Sequence, residues 1–85
     1  MVADAALTDG LEHLVRGIVD SPDDVDVNRK SGRRHDVLQV RVHPDDLGRV
    51  IGRAGRTAKA LRTVVEALPG GDHVRVDVVD TDRRR

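Results

Sequence analysis

No Phe, Tyr or Trp occurs anywhere in this chain. Its core must therefore be assembled from Val, Leu, Ile and Ala. The 85 residues are too few for two cores on the usual scale of roughly 100–200 residues per domain. A domain of this size buries only roughly 60–65% of its unfolded surface, so the core must also be small. Charged residues make up 35% of the chain, yet aliphatics recur with clear periods, which argues for a folded domain rather than disorder. The expectation is one domain over 1–85, with its core from about 5 to 79 and a flexible tail at 80–85.

The same composition excludes several chemistries. Without Cys there is no disulfide, thiolate metal site or Cys nucleophile. No apolar run approaches the roughly 18 residues of a membrane span. Met1-Val2-Ala3-Asp4 has neither a basic n-region nor an apolar h-region, so a cytoplasmic protein is expected. The lack of aromatic rings removes the base-stacking platforms that many nucleic-acid binders use.

Charge is balanced in total, with 15 basic and 15 acidic residues, but not along the chain. Residues 1–28 hold seven acids and one base, a net of −6. Residues 29–66 hold ten bases and four acids, a net of +6. Between Leu47 and Val65 there are five bases (Arg49, Arg53, Arg56, Lys59 and Arg62) and no acid. Such asymmetry marks either a local anion-binding face or a solvated helix flank.

Periodicity supplies the elements. Leu7, Leu11, Leu14, Val15, Ile18 and Val19 share one helical face. Asp4 or Asp9 is placed to cap that helix, and Asp20-Ser21-Pro22 to end it. Alternation over 24–29 (Val25 and Val27 on one side) and 37–43 (Leu38, Val40 and Val42) predicts two strands in a hairpin, turning at Lys30-Ser31-Gly32-Arg33. Pro44-Asp45-Asp46 opens a short second helix with Leu47, Val50 and Ile51 as its apolar stripe. A third helix is expected over about 56–68, with Leu61, Val64, Val65 and Leu68 inward, stopped by Pro69-Gly70-Gly71. Val74, Val76 and Val78 form a last strand. The order α-β-β-α-α-β predicts an α+β two-layer sandwich, a three-stranded sheet covered by three helices.

The chemistry concentrates in Val50-Ile51-Gly52-Arg53-Ala54-Gly55-Arg56-Thr57-Ala58-Lys59-Ala60-Leu61-Arg62. A Gly-x-x-Gly joins two helices, where glycine allows a tight turn and close approach of a ligand. The helix after Gly55 presents free N–H groups and a partial positive charge, a ready phosphate site. Arg53 and Arg56 flank it, and Arg56, Lys59 and Arg62 spread over roughly a third of the helix circumference, away from the Leu61/Val65 face. Ile51 could supply an aliphatic floor for bases. With eight glycines, chance alone supplies about 0.7 such motifs, so its placement between two helices with basic flanks is what counts.

At these residues the sequence resembles the KH domain family. Val50-Ile51-Gly52-Arg53-Ala54-Gly55, followed by Lys59 and Leu61-Arg62, looks like that family's Ile-Gly-x-x-Gly core and the helix after it. The element order is similar to the type II arrangement. The length, and the stretch from His43 to Val65, resemble the small single-KH proteins of bacteria, the KhpA-like group. The resemblance runs from about Leu11 to Val78 and is sharpest over 43–65. It implies single-stranded RNA binding, with the loop gripping the backbone and about four nucleotides in the adjoining groove. Carried over by position, Gly52, Arg53, Ala54 and Gly55 form the loop. Ile51, Arg56 and Lys59 border the groove, and the strand around Val40 forms its opposite wall. Arg53 stands where a Lys is common and keeps the charge; Ala58 stands where many KH domains have a larger aliphatic. The resemblance further implies a role in post-transcriptional regulation or as an RNA chaperone, and pairing with a second KH protein of the KhpB (Jag) type.

Other motifs are weaker. Gly48-x-x-x-Gly52 has membrane helix-pairing spacing but no apolar surroundings. His13, His35, His43 and His73 show no ligand spacing, so no metal or other cofactor is expected. Asp45-Asp46 reads as helix-start acids rather than a catalytic pair. Two Ser in turn-like segments make no hydrolase constellation, and no enzyme is expected. The competing reading is a protein-interaction subunit that dimerises, or pairs with another KH protein, through its acidic first helix and an edge strand.

Overall fold

The computed structural model describes residues 2–79, with side chains from residue 6 onward. The six elements are α1 (Val2–Arg16), β1 (Asp26–Lys30), β2 (Asp36–Arg41), α2 (Leu47–Ile51), α3 (Arg56–Ala67) and β3 (Val74–Val78). Their order is the one expected. β2 lies at the centre of the sheet, antiparallel to β1 (Val27 opposite Val40) and parallel to β3 (Leu38 opposite Val76). The parallel pair requires a crossover, and α2 and α3 supply it. The result is the α+β sandwich with a mixed three-stranded sheet.

The core follows the two sequence periods. Leu7, Leu11 and Val15 at i, i+4 and i+8 of α1 meet Val27, Leu38, Val40, Val74 and Val76 from one face of the sheet. Val50 of α2, and Leu61 and Val65 of α3, close the layer. Each such side chain contributes roughly 1.5–3 kcal/mol by leaving water. The other sheet face carries Asp26, Asn28, Arg41, Arg75 and Asp77, all exposed.

Several expectations need correction. α1 ends at Arg16, not at Asp20: the Gly17 N–H is shared between the His13 and Leu14 carbonyls at 3.2 Å, and the chain leaves the helix as a turn. Ile18 and Val19 still pack against the core, but from that turn. Asp9 lies in the body of α1 rather than at its start, and the Asp4 side chain lies outside the described residues. β1 starts at Asp26 because Pro22–Asp24 form a single 3-10 turn, although Val25 is buried as expected. β2 stops at Arg41, and the hairpin loop extends over 31–35. Val64 is 44% exposed, because the apolar stripe of α3 is wider than the surface it covers. The expected tail at 80–85 lies outside the described residues.

Candidate nucleic-acid interface

The site begins with how α2 is held. His43 Nδ1 accepts a hydrogen bond from the Asp45 N–H at 3.0 Å and so caps the 3-10 turn Pro44–Asp46 that leads into the helix. Asp46 is only 2% exposed, and its carboxylate accepts from the Asp20 and Ser21 N–H groups at 3.2 and 3.0 Å. Arg49 extends from the outer face of α2 to Asp20 at 3.0 Å. The turn after α1 is thereby pinned to the helix that carries the glycine loop.

α2 ends at Gly52, whose N–H bonds the Gly48 carbonyl at 2.8 Å and whose φ is +78° with ψ 168°. A side chain there would strike both the Thr57 side chain and its backbone nitrogen. Arg53–Gly55 make one 3-10 turn, closed by the Gly55 N–H on the Gly52 carbonyl at 3.1 Å. Ala54 (φ +57°) and Gly55 (φ +75°) are left-handed, and α3 starts at the next residue. Arg53 and Ala54 are exposed at the tip.

The N-terminus of α3 is electrostatically open. No side chain caps it, and its first turn contains no acid. The first N–H groups of a helix lack intrahelical acceptors and carry partial positive charge. Arg53 and Arg56 add full charges beside them, and Arg56, Lys59 and Arg62 are exposed along α3. Arg62 Nε donates to the Val76 carbonyl at 3.3 Å, which brings that guanidinium to β3.

The structure thus brings Gly52, Arg53, Ala54, Gly55 and Arg56 into one exposed turn, with Lys59 and Arg62 leading away along α3. Ile51, read as part of the inward stripe of α2, is 38% exposed at the root of the loop, available as an apolar surface. Arg49 is placed differently, in its ion pair with Asp20. Val40 cannot wall a groove: it is fully buried in the central strand, with Val27 on one side and Val78 on the other. The strand that α3 faces at its exposed margin is β3. Sequence alone gives no sign that Asp46, Asp20 and Thr57 shape the site. An acid preceding a helix signals a helix start in sequence, and nothing local shows that it turns inward to bind a segment 25 residues earlier.

Among the described residues no group of three or more His, Asp or Glu could hold a metal ion, and no helix is long and apolar enough to cross a membrane.

Comparison with known proteins identifies the family. A family model described as KhpA/KhpB, KH domain, matches residues 8–80. The RNA-binding protein KhpA of Streptomyces coelicolor is 67% identical over 79 residues, covering 93% of this chain and 99% of its own. The RNA-binding protein KhpA of Mycobacterium tuberculosis H37Rv is 62% identical over 79 residues, covering 93% and 98%. That of Halalkalibacterium halodurans is 46% identical over 72 residues, covering 82% and 95%. No solved structure matches the chain. A Gly-x-x-Gly turn between two helices, in a three-stranded α+β sandwich matched along most of its length, places the chain in the KhpA/KhpB KH-domain family.

Proposed function

We propose that this protein binds single-stranded RNA, gripping the phosphate backbone with the Gly52–Gly55 turn. The observation that carries the reading is the acid-free N-terminus of α3, without a side-chain cap, directly behind an exposed left-handed turn. Backbone N–H groups, Arg53 and Arg56 would hold phosphates, Lys59 and Arg62 would extend the track, and Ile51 would support a base. Arg49 joins once it is released from Asp20. The relatives named as RNA-binding proteins support this class of ligand. The role that follows is cytoplasmic post-transcriptional regulation or RNA chaperoning. A single KH groove holds only about four nucleotides, so a partner that adds avidity suits such a role.

The test is binding of a labelled pool of short single-stranded RNAs at two salt concentrations, for the wild type and for Arg53→Asp combined with Ala54→Asp. Asp tolerates the left-handed conformation at position 54, so the fold is retained, as circular dichroism checks. Wild-type binding that weakens with salt, with at least a tenfold loss in the variant, supports the reading. Equal binding by a folded variant refutes the loop as the grip.

A second reading, pairing with another copy or with a KhpB-type KH protein, rests on a specific surface. An apolar groove of about 360 Å³ between α1 and α3 is lined by Leu14, Ile18, Ala60 and Val64, and Leu14 and Val64 are among the most exposed large hydrophobics described. Sedimentation of wild type against Val64→Asp reads it: a sedimenting pair lost in the variant supports it, and a wild-type monomer at high concentration removes self-pairing.

A further inference from the structure

Most of the cations that could join an RNA track have no acid partner among the described residues. Arg16, Arg29 and Arg49 are paired with Glu12, Asp36 and Asp20. By contrast, Arg53, Arg56, Lys59 and Arg62 make no ion pair among the described residues, and neither does Arg75 on β3. Arg56, Lys59 and Arg62 are each three residues apart, so every step rises about 4.5 Å and turns back about 60° around α3. The line therefore descends from the glycine turn towards β3, where Arg62 meets the Val76 carbonyl.

A cavity of about 520 Å³ opens at that point. It is lined by His35, Val37, Arg62, Arg75, Val76 and Asp77. Val37 and Arg75 are register partners in the parallel ladder. Leu38 and Val76, one residue on, point into the core, so Val37 and Arg75 stand on the opposite, open sheet face. Arg62 reaches the same cavity from the helix layer. The cavity therefore straddles the outer edge of β3, with one guanidinium on each side. Asp77 holds the local formal charge of these three residues at +1, which suits one phosphate better than a polyanionic cluster.

We propose that the RNA path continues past the glycine-loop groove, around the edge of β3, into a phosphate subsite formed by Arg62 and Arg75. The ligand is the backbone phosphate of a further nucleotide on the strand already held by the loop, so the inference rests on the RNA reading above. Arg62 is bonded through Nε to the sheet edge, which leaves its terminal NH2 groups for the phosphate. Arg75, exposed and in no ion pair among the described residues, closes on it from the other face.

The experiment measures binding of a tetranucleotide and an octanucleotide RNA of the same base composition to wild type, Arg75→Ala and Arg41→Ala. Arg41 is also exposed on the sheet but does not line the cavity. The expected result is that Arg75→Ala weakens the octanucleotide about three- to tenfold, makes its salt slope shallower by about 0.7, and leaves the tetranucleotide unchanged. Arg41→Ala should bind both RNAs as wild type does. Circular dichroism confirms that both variants fold. Equal weakening by Arg75→Ala and Arg41→Ala overturns the subsite in favour of a general charge effect. Unchanged octanucleotide binding by Arg75→Ala also overturns it and leaves the loop reading standing. Failure of the wild type to bind either RNA removes both.

Discussion

Asp46 Oδ2 accepts a hydrogen bond from the Ser21 N–H at 3.0 Å, and Oδ1 of the same carboxylate accepts from the Asp20 N–H at 3.2 Å. One nearly buried acid thus fixes the start of α2 to the turn that follows α1. Hydrogen bonds to a charged acceptor are stronger than neutral ones, and deleting the acceptor strands both donors. Asp46→Ala is expected to cost about 2 kcal/mol. For a chain of this size that lowers Tm by about 10 °C in a thermal melt. Asp46→Asn keeps one acceptor oxygen and should lose about half as much. A Tm for Asp46→Ala within experimental error of wild type would show that the carboxylate does not hold the turn.

The two loop glycines should respond unequally to a methyl group. Gly52 combines φ +78° with ψ 168°, a region almost reserved for glycine, and a Cβ there runs into Thr57. Gly55 is in the ordinary left-handed region and a Cβ there meets open space. Gly55→Ala should cost about 1 kcal/mol from backbone strain alone. Gly52→Ala should cost at least about 1 kcal/mol more, because the turn must also shift away from Thr57. Denaturant melts of the two variants rank them, and equal midpoints would contradict the close contact at Gly52.

Asp36 links stability to pH. The hydrogen bond from the Arg29 side chain, at 2.7 Å, is the main cause that holds its carboxyl below the usual range, with the Gly32 N–H adding to it. A carboxylate whose pKa is lower when folded stabilises the fold fully above its unfolded pKa of about 3.9. That contribution is lost as pH falls through the lower folded value. The Tm gap between wild type and Asp36→Asn should therefore be widest near about pH 6 and narrow as pH falls below the unfolded pKa. A gap that persists unchanged in acid would assign the effect to packing instead.

Strong local periods explain why so much of the architecture could be read in the sequence. Leu38, Val40 and Val42 alternate without interruption, and Leu7, Leu11 and Val15 repeat every four residues; all six are buried. The glycine turn was legible because Pro44 and the first-turn acids mark the helix before it and the basic run marks the helix after it. What failed was non-local. Val40 looked like a groove wall until the parallel pairing of β2 with β3, more than 30 residues on, made its strand central. Val64 fits the apolar stripe of α3, yet that stripe extends past the core to an exposed groove beside α1. Arg75 is an unremarkable alternating residue in sequence, and only the register with Val37 and the reach of Arg62 place it in a shared cavity.

Arg49 tests how the acidic first third of the chain acts on the basic site. Its guanidinium lies 3.0 Å from the Asp20 carboxylate, with both side chains more than half exposed. An exposed pair of this kind contributes at most about 1 kcal/mol, so the fold does not depend on it. Its consequence is for binding: while Asp20 holds Arg49, one cation beside the loop is neutralised and an approaching phosphate meets a carboxylate. Asp20→Asn should leave Tm within about 5 °C of wild type, since the backbone N–H that bonds Asp46 remains. The same change should tighten RNA binding about two- to fivefold at low salt and steepen the salt slope by about 0.7, the signature of one more phosphate contact on a single strand. Arg49→Ala in the Asp20→Asn background should remove that gain. If Asp20→Asn leaves both affinity and slope unchanged, Arg49 stands outside the RNA track and serves only to pin the turn after α1.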